Sequence, residues 1–323
     1  MSIKNLHPVK PATATAIVND IDEFTDNMAG WDNDWRQLEA GHPQNRIDTI
    51  AGQHTIIQQL NLSHSIHQQG KTSNELMVLG FPSTQTRLNW EGREFVGPAM
   101  YNFSGANGYD VVSRPGFCGV TLSFSRVNLS HIAKQLKLPA TQVFDSNLPH
   151  LLSGQNYALG EFRQYLYGLC DSLSNARTPE NYHFARGELD KELPVRFLTA
   201  LAEPRLTSSS QPLKTRQKGL RLAVDYIEAN CQYNPDVLDI CVATGLSWRS
   251  LDRAFKERLG IGPKRYLLNL RLTQARRQLK CAPPRTKVVE IANDWGFWQM
   301  GDFAREYRKM FGELPSESLT QRK

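Results

Sequence analysis

Two arginines occupy matching places in a repeated segment of the C-terminal third of the chain. Arg253 lies eight residues after Gly245, and Arg305 lies nine residues after Gly296. A guanidinium group presents its N–H donors as a rigid, planar fork, which matches carboxylates, phosphates and the O6/N7 edge of guanine. The chemistry predicted at both places is therefore the binding of an anion or a base edge.

The repeat also predicts the elements that position these arginines. Residues 239–263 return as 290–315, with one extra residue after the turn of the second copy. Each copy has the pattern of a short helix, a turn at glycine and a second helix that ends at another glycine, which is the form of a helix-turn-helix. We predict units at about 235–259 and 288–311. Between them, Pro263 begins a helix of about 19 residues, roughly 28 Å long, which is comparable with the ~34 Å of one turn of DNA.

The second helix of each unit has one apolar face and one polar face. Leu251, Phe255 and Leu259 recur every four residues and are expected in the core. The N-terminal part of the polar face can reach base edges, and basic side chains further along can reach phosphates. The base contacts predicted in this way are Trp248, Arg249, Asp252, Arg253, Gln299, Met300, Gly301, Ala304 and Arg305. The phosphate contacts predicted are Ser247, which also caps its helix, Lys256, Arg308 and Lys309.

The charge distribution supports a division of the chain. From Lys214 onward there are 21 Lys+Arg and 12 Asp+Glu, a balance of +9. The chain totals of 38 and 32 leave 17 and 20 for residues 1–213, a balance of −3. The C-terminal third is therefore suited to a polyanion, and the remainder to a different task.

The N-terminal part favours strands. Short alternating apolar runs separated by Gly, Pro, Ser and Asn extend from about residue 46 to 124; one includes Leu60, Leu62, His64 and Ile66. We predict an α+β protein: a β-rich, cupin-like sandwich or barrel with helices, then an all-α domain with two helix-turn-helix units joined by a long helix. The expected divisions are a flexible N-terminus at 1–20, a sensory or dimerisation domain at 21–203, a linker at 204–215 and the DNA-binding domain at 216–323.

A helix predicted from about Tyr157 to Leu173 carries an apolar seam at intervals of three and four residues. This spacing is typical of coiled coils, and equally of a helix that packs on its own sheet. We favour dimerisation, because a DNA reader gains from two-fold pairing. The predicted dimerisation residues are Leu159, Phe162, Leu166, Leu169 and Leu173.

Other patterns give little sign of catalysis. His64 and His67 would point to opposite faces of a strand, so we expect neither to bind a metal. Four aromatic residues could line a ligand cavity, although we favour a core role for most of them: Trp90, Tyr101, Phe103 and Tyr109. No nucleophile motif, paired carboxylates or nucleotide-binding glycine motif occurs, so we expect neither an enzyme nor a bound cofactor. No apolar stretch is long enough to cross a bilayer, and we expect no membrane partner.

A fixed order of motif residues runs through residues 220–320. They are Gly245-Leu246-Ser247, Leu251-x-Arg253-x-Phe255-Lys256, Gly260, Arg271, Ala275, Ile291-Ala292, Gly296-Phe297, Phe303-x-Arg305-x-Tyr307 and Gly312-x-x-Pro315. In this order the segment resembles the DNA-binding domain of the AraC/XylS family of bacterial transcription regulators. Residues 259–263, 271–279 and 295–298 resemble the branch that contains the ethanolamine-operon regulator.

The resemblance implies two units that each enter a major groove. It places Arg249, Asp252 and Arg253 at bases in the first unit, and Met300, Gly301, Ala304 and Arg305 in the second. We therefore expect a cytoplasmic, sequence-specific transcription regulator of bacterial promoters, an activator that works with RNA polymerase as a homodimer. Its N-terminal domain is expected either to sense a small-molecule effector or to mediate dimerisation. The alternatives are a regulator controlled by a protein partner, and an enzyme whose basic tail anchors it to DNA.

Overall fold

The computed structural model describes residues 12–28, 31–83, 86–97, 99–104, 108–136, 138, 151–153, 157–174, 188–202 and 215–320. The chain divides into two compact units. The sheet unit comprises Met1–Trp35, Gln44–Ser63 and Gln68–Gln211, and the helical unit comprises Arg36–Pro43, His64–His67 and Pro212–Lys323. Two short segments from within the predicted first domain thus group with the C-terminal residues.

Two sheets form the framework of the sheet unit, and the strand pairs whose register is described are antiparallel. The order of the seven-stranded sheet is β1 (Ala12–Val18), β3 (Asn45–Ala51), β4 (Thr55–Leu62), β11 (Phe117–Ser125), β6 (Leu76–Pro82), β9 (Ala99–Asn102) and β12 (Leu151–Ser153). The order of the five-stranded sheet is β2 (Trp31–Gln37), β5 (Ile66–Thr72), β10 (Tyr109–Ser113), β7 (Arg87–Trp90) and β8 (Arg93–Val96). The end of β2 from Arg36 and the start of β5 up to His67 belong to the helical unit. The predicted β-rich N-terminal region is confirmed.

Strand β6 shows how the sheet unit builds its core. Leu76 and Val78 join an aromatic cluster with residues of β7, β9 and β10, whereas Met77, Leu79 and Phe81 join the core that contains the helices. This alternation follows from the two-residue period of a strand, and both faces of β6 are buried. The helices are α1 (Ile21–Asp26), α2 (Arg126–Gln135), α3 (Tyr157–Ser174) and α4 (Leu193–Ala202), the last preceded by a π-helical turn at Glu188–Glu192.

The dimerisation seam predicted on α3 is corrected by the packing of this core. Its five side chains, Leu159, Phe162, Leu166, Leu169 and Leu173, are all at most 5% exposed. The Phe162 ring lies 5.6 Å from the ring of Phe81 on β6 and 5.6 Å from that of Phe197 on α4. The seam is therefore occupied by residues of its own chain and cannot serve a second copy.

Two further expectations differ from the structure. Residues 12–18, expected in a flexible lead-in, form β1 and pair with β3 along their whole length, because alternating threonine and aliphatic residues suit an extended strand. The run from Leu60 to Ile66 is not one strand: β4 ends at Leu62, and His64 lies in the connection to β5. The linker predicted at 204–215 lies outside the described residues, except that Thr215 begins a helix.

The helical unit contains the predicted pair of helix-turn-helix units and the long helix between them. Its helices are α5 (Thr215–Asn230), α6 (Val237–Thr244), α7 (Trp248–Leu259), α8 (Pro263–Lys280), α9 (Val288–Asp294), α10 (Met300–Phe311) and α11 (Pro315–Thr320), with a 3₁₀ turn at Cys231–Tyr233. The predicted all-α C-terminal region is thus confirmed.

Candidate nucleic-acid interface

The first helix-turn-helix, α6 and α7, is fixed by local signals at each end. Asp236 and Asp239 form a capping box at the start of α6. Gly245 ends that helix with φ +67°, a left-handed conformation that glycine adopts without steric cost. Ser247 caps α7, its hydroxyl accepting from Ser250 N at 3.3 Å. These three signals set the turn and aim the N-terminal end of α7 away from the core.

The second unit, α9 and α10, repeats the glycine turn of the first unit but not its spacing. Gly296 again has a positive φ, of +71°. However, α10 begins four residues after its glycine, at Met300, whereas α7 begins three residues after Gly245. Arg253 and Arg305 are consequently both the sixth residue of their helices. The extra residue predicted in the second copy therefore lies in the turn, and the two reading helices present equivalent positions.

Helix α8 carries both units. Its 18 residues span about 27 Å at 1.5 Å per residue. From its middle, Arg271 Nε donates to the carbonyl of Trp295 at 2.6 Å, and Nη1 donates to Asn234 Oδ1 at 2.5 Å. Asn234 precedes the first unit and Trp295 lies in the turn of the second. Burial lowers the pKa of Arg271, and its guanidinium lies 4.3 Å from the ring centre of Phe297.

A second polar cluster holds the end of α10. Glu313 Oε1 accepts from Arg276 Nε and Nη2 at 2.9 and 2.8 Å, and from Ser318 Oγ at 2.7 Å. Ser318 Oγ also lies 2.6 Å from the hydroxyl of Tyr307. Burial raises the pKa of the Glu313 carboxyl, but the Ser318 hydrogen bond and the Arg276 charge outweigh it, and the pKa lies below its ordinary value.

The short N-terminal segments of the helical unit contact α8 through a buried hydroxyl. Tyr266 OH donates to Glu228 at 3.0 Å and accepts from Arg36 Nη1 at 3.0 Å, and His67 Nδ1 lies 3.2 Å from the same oxygen. Arg36 also forms an ion pair with Glu228. Burial raises the pKa of Tyr266 well above its ordinary value. His67 is therefore a buried hydrogen-bonding residue of the helical unit.

The structure brings the predicted contact residues to the exposed side of α7 and α10. Those classed as exposed are Ser247, Trp248, Arg253, Lys256, Gln299, Gly301, Arg305, Arg308 and Lys309. Asp252, Met300 and Ala304 are partly exposed, and the side chain of Arg249 lies outside the description. The residues predicted for the opposite face are buried, among them Leu251, Phe255 and Phe303.

Sequence reasoning missed Trp298. Its side chain is 76% exposed and lies in the turn just before α10. The signal was a tryptophan between the turn glycine and the reading helix. Because the sequence predicts a helix that begins near Gln299, which is the N-cap in the structure, Trp298 falls outside the predicted contact face.

Carboxylates of the same helices hold the basic side chains of this surface. Arg253 Nε lies 2.6 Å from Glu257 Oε1, and Arg305 Nη1 lies 2.8 Å from Asp302 Oδ1. Lys256 pairs with Asp252 at 2.8 Å. Exposed pairs of this kind contribute only about 0.3–0.5 kcal/mol, so they orient the cations without preventing exchange for a phosphate or base.

The sheet unit contains a separate candidate site among aromatic rings. Trp31, Trp90, Tyr101 and Phe103 line a cavity of about 30 Å³. Trp90 and Tyr101 are buried, and Tyr109 packs 5.0 Å from Phe103, so the interpretation of these aromatics as core is confirmed. Among the described residues, the Tyr101 hydroxyl and Trp31 Nε1 are buried without a hydrogen-bond partner.

Within the described part of the chain, no group of three or more His, Cys, Asp or Glu side chains is arranged to hold a metal ion. The helices described there include none with the length and apolar character of a membrane span.

Two helix-turn-helix units on one long helix, with an arginine at the sixth position of each second helix, define a tandem DNA-binding module. A helix-turn-helix domain model matches residues 240–321. The chain is 45% identical over 101 residues to a probable thc operon regulatory protein of Rhodococcus erythropolis, and 38% identical over 99 residues to the XylDLEGF operon transcriptional activator of Pseudomonas putida. These matches cover 31% and 30% of this chain.

A solved structure of a probable AraC family transcriptional regulator from Rhodopseudomonas palustris is 36% identical, with a TM-score of 0.31; the match covers 33% of this chain and 99% of that one. In sequence, the C-terminal domain of this chain is thus similar to the DNA-binding domains of bacterial transcription regulators of the AraC/XylS type. The chain spans only about 30% of the length of the two curated relatives. The narrower likeness to the ethanolamine-operon branch remains a prediction.

Proposed function

We propose that the protein is a sequence-specific transcription regulator that reads promoter DNA with both helix-turn-helix units. The observation that carries the proposal is the equivalence of α7 and α10. Each begins just after a left-handed glycine turn and exposes an arginine at its sixth residue, with the arginine side chains 65% and 68% exposed. A helix of about 27 Å joins them, which suits successive major grooves of one DNA face.

The test compares a base reader with a phosphate contact. Arg253→Ala should weaken binding by about 1–3 kcal/mol on the selected operator, and this loss should disappear when the contacted guanine is replaced. Lys256→Ala should weaken binding to operator and scrambled DNA alike and reduce the salt slope by about one. Arg221→Ala, an exposed arginine on α5, removes the same charge outside the two units and is the matched control. Equal losses on operator and scrambled DNA for Arg253→Ala and Lys256→Ala would contradict specific readout.

The sheet unit is the sensing or pairing half of this proposal. It has its own core, and residues 1–213 carry a charge balance of −3, unsuited to DNA. The unpartnered Tyr101 hydroxyl and Trp31 Nε1 favour an effector near the aromatic cavity, although a volume of about 30 Å³ requires the rings to move before a ligand enters. Sedimentation of the full chain with and without operator DNA tests whether the unit also forms a homodimer.

The remaining parts of the proposal follow from DNA binding itself. A promoter-bound activator works on RNA polymerase in the bacterial cytoplasm, and no catalytic step is assigned to the chain. The relatives named above include a transcriptional activator, which supports activation over repression. Control by a protein partner is the alternative to an effector. Catalytic turnover of a substrate by the sheet unit would favour the other alternative, which is an enzyme whose basic tail anchors it to DNA.

A further inference from the structure

We propose that Trp298 is a specificity-determining residue of the second helix-turn-helix unit, and that its indole ring packs against the 5-methyl group of a thymine in the major groove. The inference rests on the proposed function, because it requires that α10 enter a groove. It adds to the second unit a contact that hydrogen-bonding residues alone do not supply.

Between the turn glycine and the reading helix, the second unit has one residue more than the first. Ser247 lies two residues after Gly245 and caps α7. Trp298 lies two residues after Gly296, where the longer turn delays the start of α10 by one residue. Gln299 takes the N-cap position there and makes no side-chain capping hydrogen bond. Counted from the turn glycine, Trp298 therefore corresponds to Ser247, whereas at the start of the helix it is Gln299 that takes the place of Ser247.

Trp298 is 76% exposed, which leaves a large apolar ring in water at the end of the helix that meets DNA. A single exposed apolar residue is ordinary on a protein surface. Here, however, the position is the N-terminal end of a reading helix, the part of a helix-turn-helix that contacts base edges.

The residues that follow Trp298 are mostly unable to form hydrogen bonds with a base. The first turns of α10 offer Met300, Gly301 and Ala304, none of which can read a base through a side-chain hydrogen bond. A Cβ added at Gly301 would meet nothing within 4 Å, so this surface can approach a groove closely. Apolar side chains recognise the thymine methyl, the one apolar group that a base pair displays in the major groove. The exposed ring of Trp298, beside the apolar residues Met300 and Ala304, is therefore matched to thymine.

The decisive experiment removes the methyl group instead of the base pair. Each thymine of an operator chosen by binding-site selection with the full chain is replaced, one at a time, by deoxyuridine, which keeps every hydrogen-bonding group. For the unaltered protein, at least one replacement should weaken binding roughly fourfold, the factor that corresponds to burial of one methyl group at ~0.8 kcal/mol. Trp298→Ala should weaken binding to the thymine operator and be insensitive to that replacement.

Two comparison variants separate the ring from other effects. Trp298→Leu keeps an apolar side chain and should retain part of the sensitivity to the methyl group. Trp248→Ala removes the exposed tryptophan of the first unit, and it should leave the Trp298-dependent thymine effect in place. Because Trp298 is mostly exposed, neither substitution at this position should alter the melting temperature appreciably.

Two results would overturn the inference. One is an unaltered protein that binds all deoxyuridine operators as tightly as the thymine operator. The other is a Trp298→Ala variant that binds more weakly but keeps full sensitivity to the methyl group, which would assign the ring to the sugar-phosphate backbone. Failure of the proposed function is distinguishable from both, because the unaltered protein would then not prefer its operator to scrambled DNA.

Discussion

Arg271 should control the relative placement of the two reading helices. It projects from α8 and donates one hydrogen bond towards each helix-turn-helix unit, to Asn234 Oδ1 and to the carbonyl of Trp295. Arg271→Lys keeps the charge, but a single ammonium on a flexible stem does not reproduce the two directed bonds of the fork. Arg271→Ala removes both bonds together with the contact to Phe297.

The size of the effect follows from the two bonds and their surroundings. Arg271 is 6% exposed, so the bonds are largely protected from water. A hydrogen bond to a charged group contributes about 1.5–3 kcal/mol, and because Asn234 is exposed, water can replace part of one bond. For Arg271→Ala we expect a loss of about 2–4 kcal/mol in the free energy of unfolding of the helical unit. Arg271→Lys should lose about half of that.

The assay is fluorescence anisotropy with the full chain on two DNA probes, one with both half-sites and one with the first half-site alone. Arg271→Lys should lose about tenfold, or 1.4 kcal/mol, on the complete operator and much less on the half-site. Arg265→Lys is the matched control on the same helix, since Arg265 makes one described ion pair, with Glu306 at 2.9 Å, which lysine can replace. If Arg271→Lys and Arg265→Lys behave alike on both probes, the idea that Arg271 couples the units is refuted.

Two other predictions concern stability. Phe162→Leu should lower the free energy of unfolding by about 1–1.5 kcal/mol through imperfect packing in the sheet-unit core, with no change in the sedimenting mass; loss of a dimer at unchanged stability would instead restore the seam as an interface. The interactions that lower the pKa of Glu313 stabilise the folded state while its carboxyl is ionised. This stabilisation is fully present above the ordinary pKa of 4.5 and is lost as the pH falls through the lower pKa of the folded state. We expect urea unfolding between pH 7 and pH 3 to show a higher free energy of unfolding for the unaltered protein than for Glu313→Gln, with a difference that shrinks below about pH 4.5. A difference that stays constant over this pH range would contradict the prediction.

The helical unit could be predicted from the sequence because its signals are local. The glycine turns at Gly245 and Gly296, the Ser247 cap and the first-turn proline Pro263 each act within a few residues of the boundary they set. The observed helices accordingly begin and end within a few residues of the predicted positions. Arg271 was identified only as a motif residue, because its acceptors are 37 and 24 residues away in the chain.

The sheet unit could be predicted only in class. Its strand order places β11 between β4 and β6, partners that are distant in sequence, and no local pattern encodes such pairing. The α3 seam shows a second limit. Intervals of three and four residues describe an apolar face and do not identify what covers it, so the same five side chains fitted a partner helix and their own sheet equally well. Only the contacts of Phe162 with Phe81 and Phe197 decide between them.

The ion pairs on the reading face bear on how specificity arises. Arg253 must exchange Glu257, and Arg305 must exchange Asp302, before either can bind a base. Each exposed pair contributes about 0.3–0.5 kcal/mol, whereas a bidentate contact with guanine is worth about 1–3 kcal/mol. Exchanging the carboxylate for a base is therefore favourable where guanine offers both O6 and N7 as acceptors. At other bases the exchange is close to neutral in free energy. The carboxylates also repel phosphates, so they lower affinity for random DNA more than for an operator with guanine at these positions.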